Sequence, residues 1–347
     1  MHTSMEWVRG QAIGHGTFAK VSLAKPTSQS SRFPPLMAVK SCAFSHPSSS
    51  SLMNEFMMLG ELKDCPEIIK SFGDCFTVEN GEKLYNVALE YASGGSLADK
   101  LKSSESLRLS ESEVRRYTKS ILKGLRFIHH KGFVHCDIKL QNILLFSDEF
   151  SDGDDVKIAD FGLAKRAAER GNSGYEIRGT PLYLAPETVA GGEQEPAADI
   201  WAVGCLVSEM LTGKPAWTCS DIGALLMKIG VGAETPDIPG ELSDAGKDFL
   251  GKCFVKETGK RWTAEMLLNH PFIDGEDHVQ SVSVSPRNPF DFPDWETEQT
   301  FTTPVFCSPG SEDWNGVETS TSAASRLREL VTGEPDWSVS SSWVTVR

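Results

Sequence analysis

Residues 135–142 read HCDIKLQN, and eighteen positions after Asn142 comes Asp160, inside ADFGLA at 159–164. The first stretch places Asp137, Lys139 and Asn142 at fixed offsets behind His135, with Cys136 wedged between the histidine and the aspartate. If each residue type occurs about one time in twenty, His, Asp, Lys and Asn at these spacings arise by chance in about two of a thousand chains this long. A turn that merely hydrogen-bonds itself is therefore the poorer reading of this loop. The Phe-Gly pair after Asp160 permits an unusual turn.

Upstream, IGHGTFAKV at 13–21 sits between two strand-like runs. Gly14 and Gly16 let the backbone approach a phosphate closely, although a ligand-free glycine hairpin explains that segment equally well. A dinucleotide loop would lead into a helix and carry Gly where Ala19 stands; another strand follows instead. MAVK at 37–40 ends in Lys40, and Glu55 lies on the inward face of the next helix, where its carboxylate can hold the ammonium over phosphates.

The pattern up to about residue 95 is short and strand-like: EWVRGQAIG, AKVSLAK, LMAVKSC, IIKSFGDCF and KLYNVALEY alternate apolar and polar residues between Gly, Pro and Ser clusters. They predict an antiparallel sheet. One helix interrupts it, SSLMNEFMMLGEL, with the serine run as N-cap and Glu55, Leu59 and Leu62 on one face. From about residue 96 helices take over. In SESEVRRYTKSILKGLRFIHHKG, Val114, Tyr117, Ile121, Leu122 and Leu125 recur at helical spacing before a glycine stop. DIWAVGCLVSEML is apolar nearly all round and belongs inside a core.

The chain has 347 residues, 39% of them apolar and 24% charged, enough for one large domain, or two ordinary ones, with tail to spare. Its formal net charge of −14 argues against a broad electrostatic grip on nucleic acid or an anionic membrane. Eight scattered cysteines indicate neither a disulfide framework nor a zinc site. No run approaches the roughly 18 apolar residues a membrane span needs, so a soluble protein of the cytoplasm or nucleus is expected.

Further signatures follow in order: LEYASGG at 89–95, GTPLYLAPE at 179–187, DIWAVG at 199–204 and KRWTAEMLLNHPF at 260–272. With these in place, residues 7–273 resemble a eukaryotic protein kinase domain throughout. The resemblance implies an α+β bilobal fold: a small antiparallel β-sheet lobe with one helix at about 7–91, and a larger, mainly α-helical lobe at about 96–273. Residues 1–6 form a short lead. The implied cofactors are ATP and Mg²⁺, and the implied catalytic set is Asp137, Lys139, Asn142, Lys40 and Glu55. Asp137 would accept the proton of the substrate hydroxyl, Lys139 would neutralise the moving phosphoryl group, and Lys40 paired with Glu55 would position phosphates. Asn142 and Asp160 would hold magnesium. Phosphoryl transfer forms little new bonding but spreads charge over oxygens, which is why cations, and carboxylates to hold them, recur here.

By the same resemblance the nucleotide site comprises Ile13, Gly14, His15, Gly16, Thr17, Phe18, Ala19, Lys20, Val21, Ala38, Lys40, Leu89, Glu90, Ala92 and Leu144. Leu89 would be the gatekeeper, and the backbone of Glu90 and Ala92 would meet adenine. Lysine two places after Asp137 resembles serine/threonine kinases. Ser173, Tyr175 and Thr180 fall in the activation and substrate segment, and Glu187 with Arg261 matches a structural ion pair. The short lead, LEYASGGSL, GTPLYLAPE and HCDIK rather than HRDLK together resemble the plant MEKK-like group of MAP kinase kinase kinases. That group implies MAP kinase kinases as substrates in a plant stress or hormone signalling cascade.

Cys136 departs from the family, which usually has Arg there to pair with a phosphorylated activation loop. Phosphorylation at Ser173 or Tyr175 is then expected to be less than an absolute requirement. Asp137 is expected to raise the thiol's pKa, against a redox role.

Residues 274–347 hold 13 acidic and 4 basic side chains and no Lys, a composition that favours disorder. Ser285, Thr303 and Ser308 each precede proline, so this tail is a candidate contact for upstream kinases or phosphatases and for modification by a downstream MAP kinase. Three rivals remain: a kinase-shaped scaffold acting through its tail, another plant serine/threonine kinase lacking the arginine, and a small-molecule phosphotransferase, against which GTPLYLAPE counts.

Overall fold

A computed structural model describes residues 6–15, 19–28, 33–147, 154–167, 177–191, 193–219, 221–232 and 234–274, with only the backbone of His15. Gly16, Thr17, Phe18, Ser173, Tyr175 and everything expected of the tail beyond Asp274 lie outside these residues.

Five antiparallel strands form the first layer: β1 (Trp7–His15), β2 (Lys20–Pro26), β3 (Met37–Ala43), β4 (Ser71–Glu79) and β5 (Glu82–Leu89), in the order β1-β2-β3-β5-β4. Side chains alternate between faces of a strand. In β3, Met37 and Val39 join Trp7, Ala24 and Ala88 in a small cluster on one face, while Ala38 and Cys42 enter the main core on the other. Lys40 shares the face of Ala38 and Cys42 and so points toward α1 (Ser48–Glu61).

The serine run does not cap α1. Its N-cap is Pro47, without a side-chain bond, and the Ser48 amide donates to His46 Nδ1 at 3.2 Å. The serines fall inside the first turn, because the preceding residues already satisfy the free helix amides. There Ser51 donates to the Gly162 carbonyl at 2.6 Å, fastening the helix to the turn that follows Asp160.

The second lobe is mainly helical: α2 (Leu97–Ser103), α3 (Glu111–His130), α4 (Pro186–Val189), α5 (Pro196–Thr212), α6 (Ile222–Gly230), α7 (Asp244–Cys253), α8 (Ala264–Leu268) and α9 (Pro271–Asp274). Between α3 and α4 lie β6 (Phe133–Val134), β7 (Ile143–Phe146), β8 (Asp155–Ile158) and β9 (Lys165–Arg166); β6 pairs with β9 and β7 with β8. Helices α2 and α3 open with capping boxes, Ser96 with Asp99 and Ser110 with Glu113. The glycine stop of α3 is Gly132, at φ +76°, a left-handed conformation that glycine adopts without steric cost.

Every apolar position predicted for α3 is buried, and α5 is buried on nearly all sides, with Trp201 at 0% exposure. Together these elements give the bilobal α+β architecture. Among the described residues no helix is long and apolar enough to cross a membrane.

Candidate active site

The loop 135–142 is fixed from behind. His135 is fully buried; its Nδ1 accepts the Asp137 amide at 3.2 Å, which leaves Nε2 protonated to donate to the Ala159 carbonyl at 3.2 Å. The ring also packs edge-on against Phe161, centroids 4.8 Å apart. The amides of His135 and Cys136 both donate to Asp199, each at 2.9 Å, and His129 Nε2 lies 2.9 Å from the same carboxylate. Burial opposes ionisation of Asp199, but His129, His135 and those amides hold its carboxyl below the usual carboxylate range. Asp199 stands in the sequence as the acid at the head of the apolar run DIWAVG, but its hold on the 135–136 amides comes from a contact across more than sixty residues.

From the front of the loop, three side chains converge on Asp137. Lys139 Nζ lies 2.7 Å from its Oδ2, Asn142 Nδ2 donates to the same oxygen at 3.0 Å and to the Asp137 carbonyl at 2.8 Å, and the Thr180 hydroxyl donates to Oδ1 at 2.7 Å. Lys139 also donates to the Thr180 hydroxyl at 2.9 Å. A hydroxyl thus rests on the carboxylate while an ammonium reaches the same oxygen. The approach of residue 180 depends on Gly179, at φ +112°: a Cβ there would stand 2.5 Å from the Cys136 carbonyl.

Lys40 bridges the two lobes. Its Nζ lies 2.7 Å from Glu55 Oε2 and 2.8 Å from Asp160 Oδ1. Burial works against the ammonium, but the two carboxylates outweigh it and raise its pKa. The carboxyl of Asp160 is held below its usual range by Lys40, against the cost of burial. Asp160 takes a left-handed backbone, φ +65°, uncommon outside glycine.

A cavity of about 590 Å³ opens between the lobes, lined by Ile13, Gly14, Ala19, Val21, Ala38 and Lys40 from above and by Leu89, Glu90, Ala92, Asn142, Leu144 and Asp160. Lys20 is not among the lining residues. It is exposed, because strand alternation turns Ala19 and Val21 inward and Lys20 outward. The Glu90 amide is committed to the Lys70 carbonyl at 2.9 Å, so only its carbonyl is left to meet a base edge. The Glu90 side chain is held by Lys157 at 2.7 Å to both oxygens, a contact with no signature in the sequence.

Asp160 Oδ1 contacts Lys40, and the Asn142 nitrogen is committed to Asp137, so oxygens of both residues remain to serve a hard cation. Among the described residues no three His, Cys, Asp or Glu side chains group into a metal site. A cation that completes its shell with phosphate oxygens and water, as Mg²⁺ does, fits such a sparse set.

Cys136 is 8% exposed with φ +67°, and its thiol reaches only the Val134 carbonyl, at 3.7 Å. Burial is the leading cause of its raised pKa and Asp199 the next; Asp137, the cause expected from sequence, contributes least. Lys165 and Arg178 pull the other way, so cationic side chains lie near a position that itself carries none. Glu187 and Arg261 form the expected pair, bidentate at 2.6 and 2.9 Å, with the Arg261 side chain fully buried.

Comparison with known proteins agrees with this geometry. The family described as "Protein kinase domain" matches residues 7–273. Mitogen-activated protein kinase kinase kinase 20 of Arabidopsis thaliana is 51% identical over 99% of this chain and 100% of its own length. Mitogen-activated protein kinase kinase kinases 17 and 18 of the same plant are 39% and 40% identical, over 86% and 78% of this chain and 77% and 78% of theirs.

Proposed function

The chain belongs to the protein kinase family, as a serine/threonine kinase of the mitogen-activated protein kinase kinase kinase group, and from that premise we propose that it phosphorylates MAP kinase kinases, using ATP and Mg²⁺. The observation that carries the proposal is the Thr180 hydroxyl donating to Asp137 beside Lys139. A substrate serine or threonine hydroxyl presented to the same carboxylate gives up its proton to Asp137 as its oxygen bonds to the γ-phosphorus. The bond from that phosphorus to the bridging oxygen breaks, and ADP leaves. Lys139, an ammonium at the same oxygen, faces the charge that develops on the moving group.

Lys40, held by Glu55, positions the phosphates. Ile13, Val21, Ala38, Leu89 and Leu144 enclose the base, with the Glu90 carbonyl and the Ala92 backbone at its edge. Asp160 and Asn142 would hold Mg²⁺, which when bound neutralises phosphate charge. Thr180 lines the substrate site, and residues 173 and 175 are sites where phosphorylation tunes activity. The tail, residues 274–347, receives regulatory kinases or phosphatases, and the protein acts in the cytoplasm or nucleus.

The test is an in vitro assay against a panel of MAP kinase kinases, each silenced in its own ATP site, with mapping of the modified residues. Transfer to serine or threonine of at least one member is expected. Labelling of a generic substrate but no panel member would remove the substrate assignment and leave the kinase.

A further inference from the structure

Helix α1 carries Glu55 and packs on the sheet of the small lobe through β3, β4 and β5. Its place over the large lobe depends on other contacts, made with every second residue of the segment that follows Asp160. The Ser51 hydroxyl donates to the Gly162 carbonyl at 2.6 Å, Asn54 Nδ2 donates to the Ala164 carbonyl at 3.4 Å, and Glu61 pairs with Arg166 at 2.5 Å. All three are made by the chain's own side chains and call for no phosphate on the segment.

The three links are unequal. Glu61 and Arg166 are each about half exposed, and an ion pair in that setting contributes little. The Asn54 bond is long for a hydrogen bond. The Ser51 bond is short, and Ser51 lies one turn before Glu55 on the same helix face. A Cβ on Gly162 would stand 3.2 Å from the Ser51 hydroxyl, 3.3 Å from Asp160 Oδ1 and 3.9 Å from Glu55 Oε2, so helix, turn and the Lys40 pair close around one glycine. Glu55 is 1% exposed. Burial raises its pKa; Lys40 is the chief opposing influence, and the Phe161 amide of the same segment adds to it. A helix that swings away from this segment therefore takes Glu55 from the groups that keep it charged.

We propose that Ser51 is a positioning residue for phosphoryl transfer: its bond to the Gly162 carbonyl holds α1 where Glu55 meets Lys40, in the chain without phosphate on its activation segment. The proposal rests on the reading that Lys40, held by Glu55, positions the nucleotide phosphates. It also supplies the hold on α1 that the chain needs if Cys136 leaves the activation segment free of phosphate control.

The experiment uses the full chain after phosphatase treatment, at saturating ATP and Mg²⁺, with a generic protein substrate so that the outcome does not depend on which protein is the natural one. Ser51→Ala should lower kcat about five- to tenfold, the effect of one lost hydrogen bond, with KM for the protein substrate and the thermal midpoint held. Ser51→Thr keeps the donor and should retain most of the activity. Glu55→Gln should lower kcat further, and adding Ser51→Ala to it should cost nothing more, because the serine acts through the glutamate. An unchanged kcat in Ser51→Ala, a Ser51→Thr as slow as Ser51→Ala, an equal fold-loss in the Glu55→Gln background, or a loss that tracks a falling midpoint would each overturn the role of Ser51 and leave the Lys40–Glu55 reading standing. A Glu55→Gln chain as active as the wild type would remove that reading, and the proposal with it.

Discussion

Asp137, Lys139 and Asn142 meet one another at the wall of an open cleft, whereas the amides of His135 and Cys136, directly before them, end on Asp199, which is 1% exposed. The front is polar side chain against polar side chain, with partners that a substrate can exchange. The back is backbone amide against buried carboxylate, reinforced by the fully buried Arg261 on Glu187. Buried polar groups are costly unless every one is satisfied, so the back fixes geometry and contributes stability. The front keeps groups that bind strongly only when the reacting atoms are present. Catalysis and folding are thus separated by the thickness of one loop.

The largest expected effect breaks the front alone. Asp137→Asn should lower phosphoryl transfer by roughly 10²–10⁴-fold, because the hydroxyl loses its proton acceptor. Its thermal midpoint should stay near that of the wild type, measured by calorimetry beside the kinase assay. A large fall in midpoint would join front and back into one structural unit.

Next comes the back. Glu187→Ala leaves Arg261 buried without its carboxylate and should cost about 3–5 kcal/mol, read by urea titration. Activity per folded molecule at low temperature should survive; its disappearance at unchanged stability would show that the pair acts on the cleft itself.

The smallest effect lies between the two, at Cys136. The thiol makes only a long contact to Val134, and the loop is held through the Cys136 amide rather than its side chain. Phosphatase-treated protein should therefore retain most of its activity toward a generic substrate. In Cys136→Arg, checked for folding by its thermal midpoint, the same treatment should inactivate. A wild-type chain reduced to background by phosphatase would show that Lys165 and Arg178 suffice to impose phosphate control.

Much of this was legible in the residues. Alternation in MAVK and its neighbouring runs, helical spacing in 114–125 and the all-apolar DIWAVGCLVSEML located sheet, surface helix and core helix, because burial leaves a period in the sequence. The residues expected in the cleft were legible as motifs, and the described ones meet there, with Lys20 the exception. What was not legible comes from contacts between distant segments: the amides of 135 and 136 on Asp199, Ser51 on the Gly162 carbonyl, and Lys157 on Glu90. The serine run misled for a related reason. A capping residue type says nothing about whether the preceding backbone has already satisfied the helix amides, as His46 does.

Taken by itself, the sequence determined the architecture, the family and the chemical types gathered at the cleft, since these follow from hydrophobic period and from the charges that phosphoryl transfer requires. The tertiary structure alone decided which carboxylate holds the catalytic loop and how burial and Asp199, rather than Asp137, come to raise the pKa of the Cys136 thiol. A side chain's burial and charge environment depend on neighbours that are remote in the chain and adjacent only after folding.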